Sequence, residues 1–380
     1  MNAFRRAGLS LGRIAPGPRC ALTDVPGVRV GHCTLISGEG EKAIRTGVTA
    51  IVPPGDPYAE PCAAGIFVLH GHGKALGLWQ IQDVGELETP VLLTNTLAVF
   101  VCAEALLTWT LRRHPEARSI NPVVLECNDG KLSAIELRPV REEHALQALE
   151  EAKDEVEEGC VGAGTGMIAF GYKSGIGTAS RRVGPYIVGA LALPNMGRLE
   201  DFRPPSPSSL SPQGGEGRGQ GIPNLLSPEW GEGKGKRAPG SLSSQGDEEK
   251  SKEAPTPRSP TGGERQGEGS LIVVLATDAP LLPAQLGRLC RRAALGAART
   301  GAPADTGSGD FFLAFSTTLR LPRDAEKIAV EPIPDRSRTM GELYRAAAEA
   351  TEEAIYSALL AATPLVGREG RSPPVFRLSR

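Results

Sequence analysis

The chain alternates short, dense apolar runs with longer stretches in which apolar residues recur every three or four positions. The short runs VTAIVPP (48–54), GIFVLHG (65–71), NPVVLEC (121–127), SLIVVLAT (270–277), DFFLAFST (310–317) and KIAVEP (327–332) are expected to be strands. Residues 164–197 predict a hairpin of two strands around a glycine-rich turn. Helical spacing predicts helices over 97–114, with a basic C-terminal end, and over 140–159, exposed and acidic. It predicts two more over 282–301, stopped by glycine, and over 341–363. The last two are dense in alanine, which lets a helix approach a sheet closely. Strands and helices in alternation, followed by hairpin strands, fit sheets enclosed by helical layers better than an all-helical or all-β fold.

One segment breaks the pattern. Residues 204–269 hold ten prolines and fourteen glycines in 66 positions, mixed with Ser, Glu, Lys and Arg. That composition buries too little apolar surface to offset the entropy of ordering it, so a disordered linker is expected. Only GIPNLLSPEW (221–230) within it has the character to dock. The chain thus divides into an arm (1–20), a mixed α/β part (21–203), the linker (204–269) and a second α/β part (270–380), long enough for one large domain or two ordinary ones.

Composition narrows the choice of partners. The 380 residues suffice for a large core, and a net charge of −2 gives no reason to expect a nucleic-acid partner. The seven cysteines, at 20, 33, 62, 102, 127, 160 and 290, form no CxxC pair and read as reduced, mostly buried thiols in a cytoplasmic compartment. There is no run of 18 apolar residues, so no membrane span is expected. The first 22 residues carry four arginines and no acid, without a continuous apolar core. They read as a disordered arm, with an organellar leader as the alternative and a secretory signal disfavoured.

Several familiar motifs are incomplete. The glycine-rich stretches at 71–77 and 159–166 lack both the ribose-binding acid of a dinucleotide loop and the GxxxxGK[ST] of a phosphate loop. His70 and His72 in LHGHGK are two apart, but no nearby acid or cysteine completes a metal set. There is no GxSxG or HExxH. No cofactor or metal is expected.

The border between linker and strand, Gly269-Ser270, reads as a processing site. A serine inside a chain needs an external base. A serine at a chain start carries one, its own α-amine, with a reference pKa of about 7.7–8. Gly269 leaves its carbonyl open to attack by the Ser270 hydroxyl, and an N→O acyl shift followed by hydrolysis would free that amine. Asn195, at the end of an apolar strand, is a candidate oxyanion donor, or an ordinary turn residue. Glu126, ending NPVVLE, could bind a substrate ammonium, or form a salt bridge with an arginine. Ser308 and Asp310 are two apart on a strand entry and so share a side. Asp310 then either accepts from Ser308 or satisfies backbone donors.

These residues sit within longer stretches: TDVPGVRVGHCTL (23–35), RTGVTAIVP (45–53), GELETPVLLTNT (85–96), ECNDG (126–130), GAGTGMIAFGYKSGIGTASR (162–181), ALPNMG (192–197), 269–301, GSGDFFLAFST (307–317) and EATEEAIYSAL (349–359). In that order they resemble the family of the D-stereospecific L-aminopeptidase/esterase and the β-peptidyl aminopeptidases. The resemblance implies a four-layer αββα sandwich, with an Ntn-hydrolase-like layout but different connectivity, shared with ornithine acetyltransferase. It implies self-cleavage at Gly269-Ser270 into an α chain (1–269) and a β chain, with Ser270 as nucleophile. Ser308 and Asp310 would support it, Asn195 would serve the oxyanion, and Glu126 would bind the substrate's amino group. The implied substrates are short peptides, amino-acid amides or esters, and the implied assembly is a tetramer of αβ pairs.

The sequence departs from the family pattern at three points. The acid two after the serine is often glutamate, where this chain has Asp310. Some members place a tyrosine two positions after the ammonium-binding glutamate, where Asn128 stands here, with Lys131 just beyond. The linker is also longer than the resemblance implies. Two alternatives remain at this point: an acetyl transferase on the same fold, for which a threonine nucleophile would be expected, and a non-catalytic binding protein.

Overall fold

The computed structural model describes residues 1–205 and 269–378. The expected linker lies almost wholly outside the described residues, as does its GIPNLLSPEW stretch. The first part of the chain supplies α1 (Ala3–Arg6), β1 (Arg29–Ser37), β2 (Ile44–Val52), β3 (Cys62–Gly71), β4 (Ala75–Leu76), α2 (Leu78–Asp83) and β5 (Glu86–Leu87). It continues with β6 (Val91–Thr94), α3 (Val99–Leu111), β7 (Val123–Glu126), α4 (Glu142–Glu150), β8 (Ile168–Ala169) and β9 (Tyr172–Lys173). The hairpin β10 (Gly177–Val183) and β11 (Tyr186–Asn195) ends it. The second part supplies β12 (Ser270–Thr277), α5 (Pro283–Arg299), β13 (Gly309–Arg320) and α6 (Arg338–Leu360).

Two sheets form, in the orders β1-β2-β6-β7-β4 and β10-β11-β12-β13-β3-β5. Each contains one parallel pair, β6/β7 and β12/β13, and each pair is joined by a helix, α3 and α5. A parallel pair requires such a crossover. Strand alternation then distributes the core. Ile272, Val274 and Ala276 of β12, with Phe311, Leu313 and Phe315 of β13, face Ile51, Leu93 and Leu125 of the other sheet. Leu271, Val273 and Leu275 face the opposite way, against alanines and leucines of α5 and α6. On the far side α3 and α4 cover Val48, Ala50, Leu92 and Val124. The result is an αββα sandwich.

Close approach explains a glycine at this packing. A Cβ on Gly177 of β10 would lie 2.0 Å from the Ala354 carbonyl oxygen of α6, so only glycine lets the helix settle there. Among the described residues no helix is long and apolar enough to cross a membrane.

Several expectations are corrected. The arm is packed rather than disordered. Phe4 is fully buried against Tyr356, and Asn2 reaches Thr178 O and Glu353. Arg5 pairs with Glu353 at 2.6 Å, and Glu353 also holds the fully buried Arg181 at 2.8 Å. The arm's basic charge is matched by acids of α6 some 350 positions away, a match that local composition does not reveal. KIAVEP (327–332) is not a strand: it joins neither sheet, and most of its residues are exposed. The acidic helix stops at Glu150, where the chain turns so that Lys153 can bridge to Val30. The predicted hairpin over 164–197 is two structures: a short ladder, β8/β9, and the hairpin β10/β11, which turns at Gly184 and Pro185.

Candidate active site

Four strand ends build the site. β12 begins at Ser270 and lies between β11 and β13. Its first residue is therefore opposite Asn195, the last residue of β11, and beside Gly309, the first residue of β13. From the facing sheet, β7 ends at Glu126. A cavity of about 100 Å³ opens between them, lined by His72, Lys74, Thr96, Glu126, Asn128, Asn195, Gly269, Ser270 and Gly307.

Around the intact Gly269–Ser270 bond, the Gly309 N–H lies 3.2 Å from the Gly269 carbonyl oxygen and 3.3 Å from Ser270 Oγ. One backbone donor thus faces both the hydroxyl and the carbonyl that precedes it. Gly309 is needed as glycine: a Cβ there would come within 2.8 Å of Gly73 Cα. On either side of it, Ser308 and Asp310 are buried, and Ser308 Oγ donates to Asp310 Oδ1 at 2.7 Å. Burial pushes the Asp310 carboxyl up to about 6, against the opposing effects of the Ser308 hydroxyl and His70. Its Oδ2 has no hydrogen-bond partner among the described residues.

Asn195 is pinned at both ends of its amide. Its Oδ1 accepts from the Ile168 N–H at 3.0 Å, and its Nδ2 donates to the Asn128 carbonyl at 2.9 Å. A side-chain amide has two N–H groups, so one remains for another acceptor. The Asn128 side chain turns back on its own loop to accept from Gly130 N at 2.8 Å. Position 128 therefore contributes its backbone to the site rather than an aromatic ring. Glu126 is buried, accepting from Lys74 N at 2.9 Å and from the Thr96 hydroxyl, with Lys74 Nζ 4.0 Å away. Lys131 does not line the cavity.

The structure thus brings Ser270, Asn195, Glu126, Asn128 and Gly269 to one cavity, with Ser308 and Asp310 packed behind Ser270. His70 and His72, which the sequence offered only as an incomplete metal pair, belong to this region together with Lys74 and Thr96, which it did not assign to the site. The segment after β3 is tied to Ser308, whose carbonyl oxygen lies 2.9 Å from His70 Nδ1 and 3.1 Å from His72 N. The signal was present in LHGHGK, considered above as a metal or phosphate motif. Asp129, next in ECNDG, was also missed as a titrating group. Burial, with Glu126 nearby, raises its carboxyl to about 7.

The sandwich belongs to the Ntn-hydrolase-like class of folds. Residues 20–373 match the profile of Peptidase family S58, and the chain belongs to that family. It is 37% identical over 367 residues to the β-peptidyl aminopeptidase BapA of Sphingosinicella microcystinivorans, covering 93% of this chain and 85% of that one. The crystal structure of the PH0078 protein of Pyrococcus horikoshii OT3 matches with a TM-score of 0.80 and 38% identity over 99% of this chain and 96% of that one. The L-aminopeptidase D-Ala-esterase/amidase of Ochrobactrum anthropi, described as a prototype for the serine aminopeptidases and a variant of the Ntn hydrolase fold, matches with a TM-score of 0.74 and 33% identity, over 96% and 92% of the two chains. Family membership makes this chain a peptidase-type hydrolase.

Proposed function

We propose that the chain cuts itself between Gly269 and Ser270, and that the freed Ser270 is the nucleophile of an aminopeptidase acting on short peptides, amino-acid amides or esters. The observation that carries this reading is the Gly309 N–H, shared between the Gly269 carbonyl oxygen and Ser270 Oγ. It offers hydrogen-bond stabilisation to the oxyanion that forms when Oγ attacks the carbonyl carbon. In that step the C–N bond breaks, Oγ forms an ester to Gly269, and the nitrogen leaves as the Ser270 amine. Water then hydrolyses the ester, leaving a carboxylate on Gly269 and a free hydroxyl on Ser270.

In the cut enzyme the Ser270 amine takes the proton of its own hydroxyl, directly or through one water. Ser308, fixed by Asp310, stands ready to hydrogen-bond that pair. The remaining Asn195 N–H and Gly309 N–H serve the substrate's oxyanion. Glu126, the only acid lining the cavity among the described residues, binds the substrate ammonium. The names of the relatives, a β-peptidyl aminopeptidase and an aminopeptidase with esterase and amidase activity, agree with a free amine as the common recognition element. The mature form is an αβ pair, assembled with further copies.

Intact-mass measurement of the purified protein tests the first step. The expected result is two species, the smaller beginning Ser270-Leu271-Ile272, and a single full-length species for Ser270→Ala that turns over no aminoacyl p-nitroanilide. A Ser270→Ala protein that still cuts ahead of residue 270 would end the reading.

A further inference from the structure

Lys173 lies in the strand β9, fully buried, and is not one of the residues that line the cavity. Its ammonium donates to three backbone carbonyl oxygens: Ser174 at 2.5 Å, Met167 at 3.1 Å and Gly164 at 3.4 Å. Burying a lysine is costly, and burial pushes the Lys173 amine below its ordinary range. The ammonium pairs buried carbonyl oxygens that an apolar side chain would leave without that donor; why a cation serves these three needs a further explanation.

The Met167 carbonyl supplies one. It also accepts from Ser174 N at 3.0 Å, so two donors hold that oxygen. Across the same peptide group, the Ile168 N–H donates to Asn195 Oδ1 at 3.0 Å. A trans peptide is planar, with its carbonyl oxygen and its N–H on opposite sides. Fixing the oxygen therefore fixes the direction of the N–H. A cation on the carbonyl also polarises the unit and strengthens its N–H as a donor.

We propose that Lys173 is a positioning residue for Asn195, acting through the rigid Met167–Ile168 peptide group so that the Asn195 amide keeps one N–H directed at the Ser270 cavity. The inference rests on the role given to Asn195 above. Exchanging the amide's oxygen and nitrogen would set a donor against the Ile168 N–H and an acceptor against the Asn128 carbonyl. The held peptide group thus selects which end of the amide faces the site.

The test is a double-mutant cycle of Lys173→Met and Asn195→Ala in the full chain. It is read as the rate of scission at Gly269-Ser270 and as kcat on an aminoacyl p-nitroanilide, normalised to the cut fraction. Lys173→Met alone is expected to lower both rates about tenfold with KM unchanged. In the Asn195→Ala background it is expected to change neither by more than about twofold, because coupled residues are non-additive. Should Lys173→Met fail to fold by thermal melt, Lys173→Gln, which keeps two donors, is read in the same cycle. A full tenfold loss that persists in the Asn195→Ala background overturns the inference while leaving the function of Asn195 intact. An Asn195→Ala protein with unchanged scission and kcat overturns both.

Discussion

Asn195 and Ser270 face each other as paired residues at the ends of adjacent antiparallel strands. The amide that would donate to the oxyanion and the hydroxyl that would attack are set by sheet register rather than by a loop. A register is difficult to shift, because a one-residue slip turns every side chain to the other face. Asn195→Ala is therefore expected to remove one donor without moving Ser270. Loss of one oxyanion donor lowers kcat about 10²–10³-fold. Steady-state kinetics should show that fall with KM changed little; an equal loss confined to KM would assign Asn195 to substrate binding.

The pH profile follows from Asp310. Its carboxyl in the folded protein titrates at about 6, and the ionised form is the one that accepts from Ser308. As pH falls through 6, protonation removes that acceptor, so kcat/KM should fall with it. A second rise, near the reference α-amine pKa of about 7.7–8, belongs to Ser270. Asp310→Asn should erase the lower limb and reduce kcat by about 10², a pattern measured by kcat/KM from pH 5 to 9.

Asp129 makes a prediction about stability instead. It lies beside the Thr46 hydroxyl and the Asn95 amide, with neither carboxylate oxygen in a well-formed hydrogen bond. With a folded pKa of about 7 and an ordinary unfolded value near 4, the folded state holds a proton that the unfolded state has released. Stability from this group is present below about pH 4 and is lost as pH rises to about 7. Asp129→Asn should therefore match the parent at pH 4 and exceed it at pH 8, by roughly 4 kcal/mol at most. Urea melts at the two pH values measure the difference.

The arm can be tested through Glu353. It is buried and binds Arg5, Arg181 and Asn2 together. Glu353→Ala would leave Arg181 buried with one weaker carboxylate partner, Glu349 at 3.5 Å, beside the carbonyl oxygens of Ser180, Leu11 and Glu349. Removing one member of a buried pair costs about 3–5 kcal/mol, and the arm should become open to limited proteolysis. A smaller change, with the arm still protected, would show that Phe4 and the arm's bonds to Glu158, Ser357 and Glu349 hold it without Glu353.

How much of this was legible depended on where the information resides. β12 and β13 were readable as dense apolar runs, and α5 and α6 by helical spacing. β1 (RVGHCTLIS) and the four-residue β6 were not, since polar residues interrupt the one and the other is too short to show a period. Ser270, Asn195 and Glu126 stood out because chemistry-bearing residues ended apolar runs. The Gly309 N–H could not stand out: backbone groups have no letter in a sequence. Lys173 was hidden in a glycine-rich stretch, and its meaning depends on carbonyls that only the folded chain brings together. The charged run after Glu150 read as helix because exposed helices and exposed loops share a composition.

β12 lies inside the six-stranded sheet, with β11 from the first part of the chain on one edge and β13 from the second part on the other. A break ahead of Ser270 would thus sever a covalent link while leaving every rung of both ladders in place. The two pieces would then share one interior and melt together. Re-forming that interior after denaturation would be an encounter between separate molecules, so recovery should depend on protein concentration, unlike that of the uncut precursor.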